Sequence, residues 1–220
     1  MTGNILKLQF ISILILLSAN NNFAQQSTLS RAVNRITSYI ATDNFKKLRA
    51  EIGDLASTDS IYVYALDVNN NDYSEALLSL MLATVPYQEV PIELPLVNTV
   101  LSYPLTSADH ETFLRKNENL PAHLFVDSPE SQYGDKDKLA HFFGSAFLSY
   151  ESSIFDLGKL IGYFVEAFEE NFKVQSAIDI RDIDVNSYGR LYGDLLKDNH
   201  KLLPSQVILL RSFRFLRITI

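Results

Sequence analysis

The sequence predicts a mainly α-helical fold, a small helical bundle with a proline-rich extended segment wrapped over it. Three observations carry this reading. Apolar residues recur at helical spacing early in the chain, prolines and β-branched residues concentrate between residues 85 and 104, and three helix-like segments follow Gly134. The 220 residues contain no cysteine, which removes disulfides, thiolate chemistry and cysteine metal ligands. A formal net charge of −7 provides no basic footprint and argues against general nucleic-acid binding.

The N-terminus reads as an export leader over residues 1–24. Lys7 supplies the early positive charge, Leu6 to Ser18 is apolar apart from Lys7, Gln9 and Ser12, and Phe23-Ala24 offers a small-residue cut before Gln25. The apolar run is shorter than the roughly 20 residues that span a bilayer. The expected location is therefore the periplasm or the cell envelope; a retained anchor or a buried first helix is the alternative. With Lys7 removed, the mature chain carries one more net negative charge than the full −7.

Residues 25–130 form an N-terminal helical and extended region. Leu29, Val33, Ile36, Ile40, Phe45, Leu48, Ile52 and Leu55 mark helix over 27–57, interrupted near Thr42-Asp43-Asn44. Ile61 to Leu66 alternates and fits either a short strand or a buried turn of helix, Asn69 to Asp72 is a turn, and Tyr73 to Thr84 is an apolar helix. The prolines Pro86, Pro91, Pro95 and Pro104 exclude regular helix and a central sheet strand, because each removes a backbone donor. Ser107 to Asn117 is one more short helix.

Residues 131–203 form a helical core with helices over Asp135–Tyr150, Ile154–Phe172 and Asp182–Leu196. Asp137, His141 and Ser145 fall four apart on the first helix and share a face amid apolar neighbours. Buried there, they require hydrogen-bond partners. Their order imitates nucleophile, base and orienter, but successive side chains of one helix do not converge as a triad does. On the second helix Glu166 and Glu170 point together and Glu169 lies beside Glu166; they are either a solvated acidic face or carboxylate ligands. Asp182, Asn186, Gly189 and Gly193 follow steps of four, three and four along the third helix. Glycine costs about 1 kcal/mol in a helix relative to alanine, so two on one stripe point to close approach of another helix.

Asp137-Lys138-Leu139-Ala140-His141-Phe142-Phe143-Gly144-Ser145-Ala146, an acidic second helix, and Asp182 through Asn186 and Gly189 to Gly193 together resemble the periplasmic lipoproteins of the YfiM type. More distantly they resemble the VanZ-like membrane proteins linked to glycopeptide resistance. The resemblance covers Asp135 to Asp194 and implies recurrent polar positions at Asp137, Lys138, His141, Asp182 and Asn186, with Glu166 or Glu169 as the intervening acid. This chain departs from the lipoproteins in lacking a lipid-bearing cysteine, and from the VanZ-like proteins in lacking several long apolar spans.

Two functions compete. In the first, the polar stripe is a structural or binding network of an envelope protein that uses no cofactor. In the second, His141, Glu166, Glu170 and Asp182 bind a divalent metal and the chain is a metal-assisted or acid–base hydrolase of an envelope lipid or glycan. One imidazole with carboxylates suits Mn, Fe or Mg better than structural Zn. Asp137, His141, Glu166, Asp182 and Asn186 are then the catalytic candidates, and Lys138, Ser145 and Arg181 the substrate-binding ones. The tail over 204–220 carries Arg211, Arg214 and Arg217 at steps of three, opposite Leu209, Phe213 and Leu216. It reads either as a final core element or as an interfacial segment on an anionic membrane surface.

Overall fold

The computed structural model describes residues 28–94, 99–104, 108–151 and 180–215. The leader, the Ile154–Phe172 helix with Glu166, Glu169 and Glu170, and the last five residues of the tail lie outside them. Among the described residues there are eight α-helices and one two-stranded ribbon. The helices are α1 (Thr28–Ile40), α2 (Asp43–Ile52), α3 (Asp54–Val68), α4 (Tyr73–Thr84), α5 (His110–Asn119), α6 (Lys138–Tyr150), α7 (Ile180–Asp198) and α8 (Pro204–Ser212). The ribbon pairs β1 (Glu89–Leu94) with β2 (Thr99–Pro104). No described helix is long and apolar enough to cross a membrane.

Local chemistry sets the boundaries. Thr42 caps α2 by accepting from the Phe45 N–H, Asp72 caps α4 through the Glu75 N–H, and Asp109 caps α5 through the Thr112 N–H. The expected single interruption of the 27–57 helix is in fact two, because Gly53, at φ 84°, ends α2 and opens α3. The ambiguous Ile61–Leu66 segment is helical within α3: Ile61, Tyr62 and Ala65 are buried on one face, a spacing that a strand would split between two.

The proline-rich segment is extended, as its prolines require, and pairs with itself. β1 and β2 run antiparallel with Ile92 opposite Leu101. A two-stranded ribbon has no central strand, so Pro91 is tolerated within it.

The helices pack in succession: α1 lies against α3, α4 and α5, α4 against α6, α6 against α7, and α8 against α3 and α7. The shared core includes Ile36, Ile61, Leu77, Leu80, Phe143 and Tyr192. Burying a side chain of this size contributes about 1.5–3 kcal/mol before entropy is counted. The half-buried Asp54 carboxylate fixes the loop after α5, accepting from Arg49 Nε at 2.5 Å and from the backbone N–H groups of Ala122 (2.8 Å) and His123 (2.7 Å).

The tail corrects one expectation. The preceding helix already ends at Asp198, and Pro204 starts α8, whose first turn is held by Asp59 of α3: Ser205 donates to that carboxylate from its backbone N–H (2.8 Å) and its hydroxyl (2.6 Å). As a final core element in strand form, the tail would send its arginines to solvent; its described part is helical. Instead Arg211 is buried and forms a fork to Asp127, while Leu209, Leu210 and Phe213 are exposed. Two carboxylates, Asp127 and Asp184, draw the guanidinium inward, and Arg214 pairs with Asp184 at 2.7 Å from the exposed side.

Candidate functional site: a charged seam between two parallel helices

Helices α6 and α7 run parallel, with pairing that advances in step along both. Lys138 meets Asp182, Ser145 meets Asn186, and Gly189 and Gly193 lie on the backbone of Phe142 and Ala146. A Cβ added to Gly189 would fall on the Phe142 carbonyl and within 2.9 Å of Ser145 Cβ; one added to Gly193 would fall on the Ala146 carbonyl and within 3.0 Å of Ser149 Cβ. The missing side chains therefore let the two backbones touch, and this contact sets the separation of the polar groups above it.

Those groups cluster where both helices begin. Lys138, only 4% exposed, places Nζ 2.9 Å from Asp137 Oδ2 and 2.5 Å from Asp182 Oδ1. His141 Nε2 lies 3.8 Å from the same Asp182 oxygen. Asp137 Oδ1 is buried and accepts no hydrogen bond among the described residues. One donor atom from each of Asp137, His141 and Asp182 lies within 4.8 Å of the other two, a grouping able to close on a metal ion. One turn further, Ser145 Oγ donates to Asn186 Oδ1 at 3.0 Å, so Asn186 is turned to Ser145.

Arg181 neighbours Asp182 in sequence but serves a second set of ion pairs. It binds the fully buried Asp135, and its Nε lies 3.5 Å from Asp127. Asp135 also accepts from the Leu124 N–H (3.0 Å) and the Ser128 hydroxyl. The Arg211 fork, then burial acting in opposition, then the charges of Arg211 and Arg181 leave Asp127 ionising below the usual carboxylate range. This network ties the loop before α6 to α7 and α8, and so supports the seam from behind.

Three residues at or behind the site escaped the sequence reading. Asp135 is placed by a tight turn in which Gly134 takes φ 51° against the Ala122 carbonyl, and the Asp135 N–H donates to that carbonyl at 2.7 Å. Asp127 pairs with partners far along the chain. Tyr133 has its hydroxyl 3.3 Å from that of Tyr87. Burial first, then the Tyr87 contact and the charges of Asp137 and Asp182, hold the Tyr133 phenol protonated well above its ordinary range. Only the Gly134-Asp135 turn had a local signal.

Comparisons with protein-family models, with curated proteins and with solved structures give no match for this chain.

Proposed function

We propose that the chain is an exported cell-envelope protein in which Asp137, His141 and Asp182 hold a divalent cation, and that the loaded site assists hydrolysis of an envelope substrate. The observation that carries this is the grouping of one imidazole and two carboxylates, from two helices, within 4.8 Å. The donor set favours Mn, Fe or Mg. Such an ion polarises a substrate oxygen or lowers the pKa of a bound water. Asn186 and Ser145, one turn along the seam, are placed to orient a substrate oxygen. In the reading drawn from the sequence, Glu166 and Glu170 join His141 and Asp182 as ligands. The leader-like residues 1–24 and the resemblance of Asp135–Asp194 to the YfiM type support the envelope location.

One observation favours the second reading, a structural network. The Lys138 ammonium already lies between Asp137 and Asp182 and offsets one of their two charges without an ion. Chelator-free protein recovered from the envelope of the producing cell, with its N-terminus near Gln25, separates the two. Metal analysis should find about one Mn or Fe per chain, or added Mn should raise Tm, and His141→Ala and Asp182→Asn should abolish both effects. No bound ion and no shift would leave the structural reading standing.

A further inference from the structure

We propose that the outward face of α8, with the turn that follows it, docks the protein on an anionic membrane surface. The proposal is independent of the cation site. α8 is apolar on two faces. Its inner face seats Pro204, Val207 and Ile208 in the core, with Arg211 turned in to Asp127. Its outer face presents Leu209, Leu210 and Phe213 at 45%, 39% and 55% exposure, and Phe215 follows at 48%. Phe213 stands four residues after Leu209 and three after Leu210, so the three share one side. Single exposed apolar residues are ordinary, but four between Leu209 and Phe215 make a patch of the kind that marks an interaction surface. Val126 and Ile183, both exposed, immediately precede Asp127 and Asp184, the carboxylates that hold Arg211 and Arg214, so further apolar surface lies beside the tail.

Charge names the partner. Asn199 to Ile220 holds four of the chain's 19 basic residues, Lys201, Arg211, Arg214 and Arg217, and none of its 26 acidic ones. The stretch is therefore +4 in a chain of net charge −7, and the remaining residues, 15 basic against 26 acidic, carry −11. Lys201 is exposed, and Arg214 is 57% exposed while it pairs with Asp184. Outward apolar side chains beside exposed cations match hydrocarbon beneath anionic headgroups: the apolar groups enter the acyl boundary and the cations stay among the headgroups. A second copy docking by the same face would set these cations against each other. The acidic remainder is repelled by the same lipid, which turns α8 toward the membrane. Nine helical residues are too few to cross a bilayer, so the contact is interfacial.

The test is flotation of the mature chain, with its N-terminus near Gln25, because Leu6 to Ser18 would itself enter lipid. The vesicles are phosphatidylcholine alone or with about a third phosphatidylglycerol, at about 0.05 M and about 0.5 M salt. At low salt the chain should bind the anionic vesicles at least about tenfold more tightly than the neutral ones, and high salt should remove most of that preference. Leu209→Ser combined with Phe213→Ser should weaken binding to anionic vesicles about tenfold while leaving the unfolding midpoint nearly unchanged, because both residues are exposed. Lys201→Gln should lower the preference for anionic lipid and leave binding to neutral vesicles as it is. No binding at low salt, equal binding to both vesicles, or binding unaltered by the double substitution would overturn the proposal. A dimer in light scattering that the double substitution dissociates, without vesicle binding, would also overturn it and assign the face to a second copy.

Discussion

Lys138 and Lys116 are both almost fully withdrawn from water, yet they occupy opposite electrostatic settings. Lys138 sits in the α6–α7 seam between two carboxylates. Lys116, on α5, has its Nζ 2.6 Å from the Val85 carbonyl and 4.4 Å from the centre of the Phe113 ring, with no ion-pair partner among the described residues. Burial, with a smaller contribution from the charge of Lys136, pushes the Lys116 ammonium down to about 7. The difference lies in the partners: two carboxylates lie against the Lys138 ammonium, whereas burial without a carboxylate lets Lys116 shed its proton near neutrality.

That contrast predicts opposite responses to the same substitution. Lys138→Met takes the ammonium from between Asp137 and Asp182, and removing one partner of a buried ion pair typically costs about 3–5 kcal/mol. Urea unfolding should show a loss of that size, partly restored by Mn; an unchanged midpoint would mean that the ammonium is not neutralising those groups. Lys116→Met removes a poorly compensated buried amine, and the gain should be about 1–4 kcal/mol at pH 6. The wild type should also show a pH signature. The folded value of Lys116 lies below its ordinary 10.5, so the unfolded chain binds more protons between about 7 and 10.5, and stability rises with pH across that window. Lys116→Met should remove this rise; a rise that persists in the variant would assign it to another group.

The smallest of the three effects tests the frame that holds the charged region together. Gly189→Leu should cost about 1–3 kcal/mol by overpacking against the Phe142 carbonyl and Ser145. The same variant should weaken Mn binding, because the seam must open to admit the side chain. A destabilised protein with unaltered Mn affinity would show that the ion does not depend on the helix separation.

The parts of this arrangement that were legible in the sequence are those written in periodicity. The steps linking Asp182, Asn186, Gly189 and Gly193 place a polar end and a contact end on one stripe, and the steps from Asp137 to Ser145 do the same on the facing helix. Ile61 to Leu66 was not decidable, because a short apolar run satisfies both the helical and the extended period until its neighbours choose. Arg211 was misplaced for a different reason. An arginine amid apolar residues turns inward only if an acid waits there, and its partner Asp127 is 84 residues away in the chain. Tyr133 lies in a loop, where no period exists to assign a side, and Asp135, read as the first residue of a helix, stands in the turn before Lys138, where the helix starts.

The glycine contacts also raise a question of register. Gly189 and Gly193 are one helical turn apart, as are the Phe142 and Ala146 carbonyls that they meet. A slide of α7 by one turn, about 5.4 Å, would seat Gly193 on Phe142 where Gly189 now lies. Steric fit already resists that slide, because Lys197 would then stand where Gly193 stands, with its Cβ on the Ala146 carbonyl. The polar end resists it as well. After such a slide Asn186 would stand where Asp182 stands, and the buried Lys138 ammonium would face a neutral amide in place of a carboxylate. Cluster and glycines thus act as index marks at two points of one stripe, both fixing the same alignment of the helices.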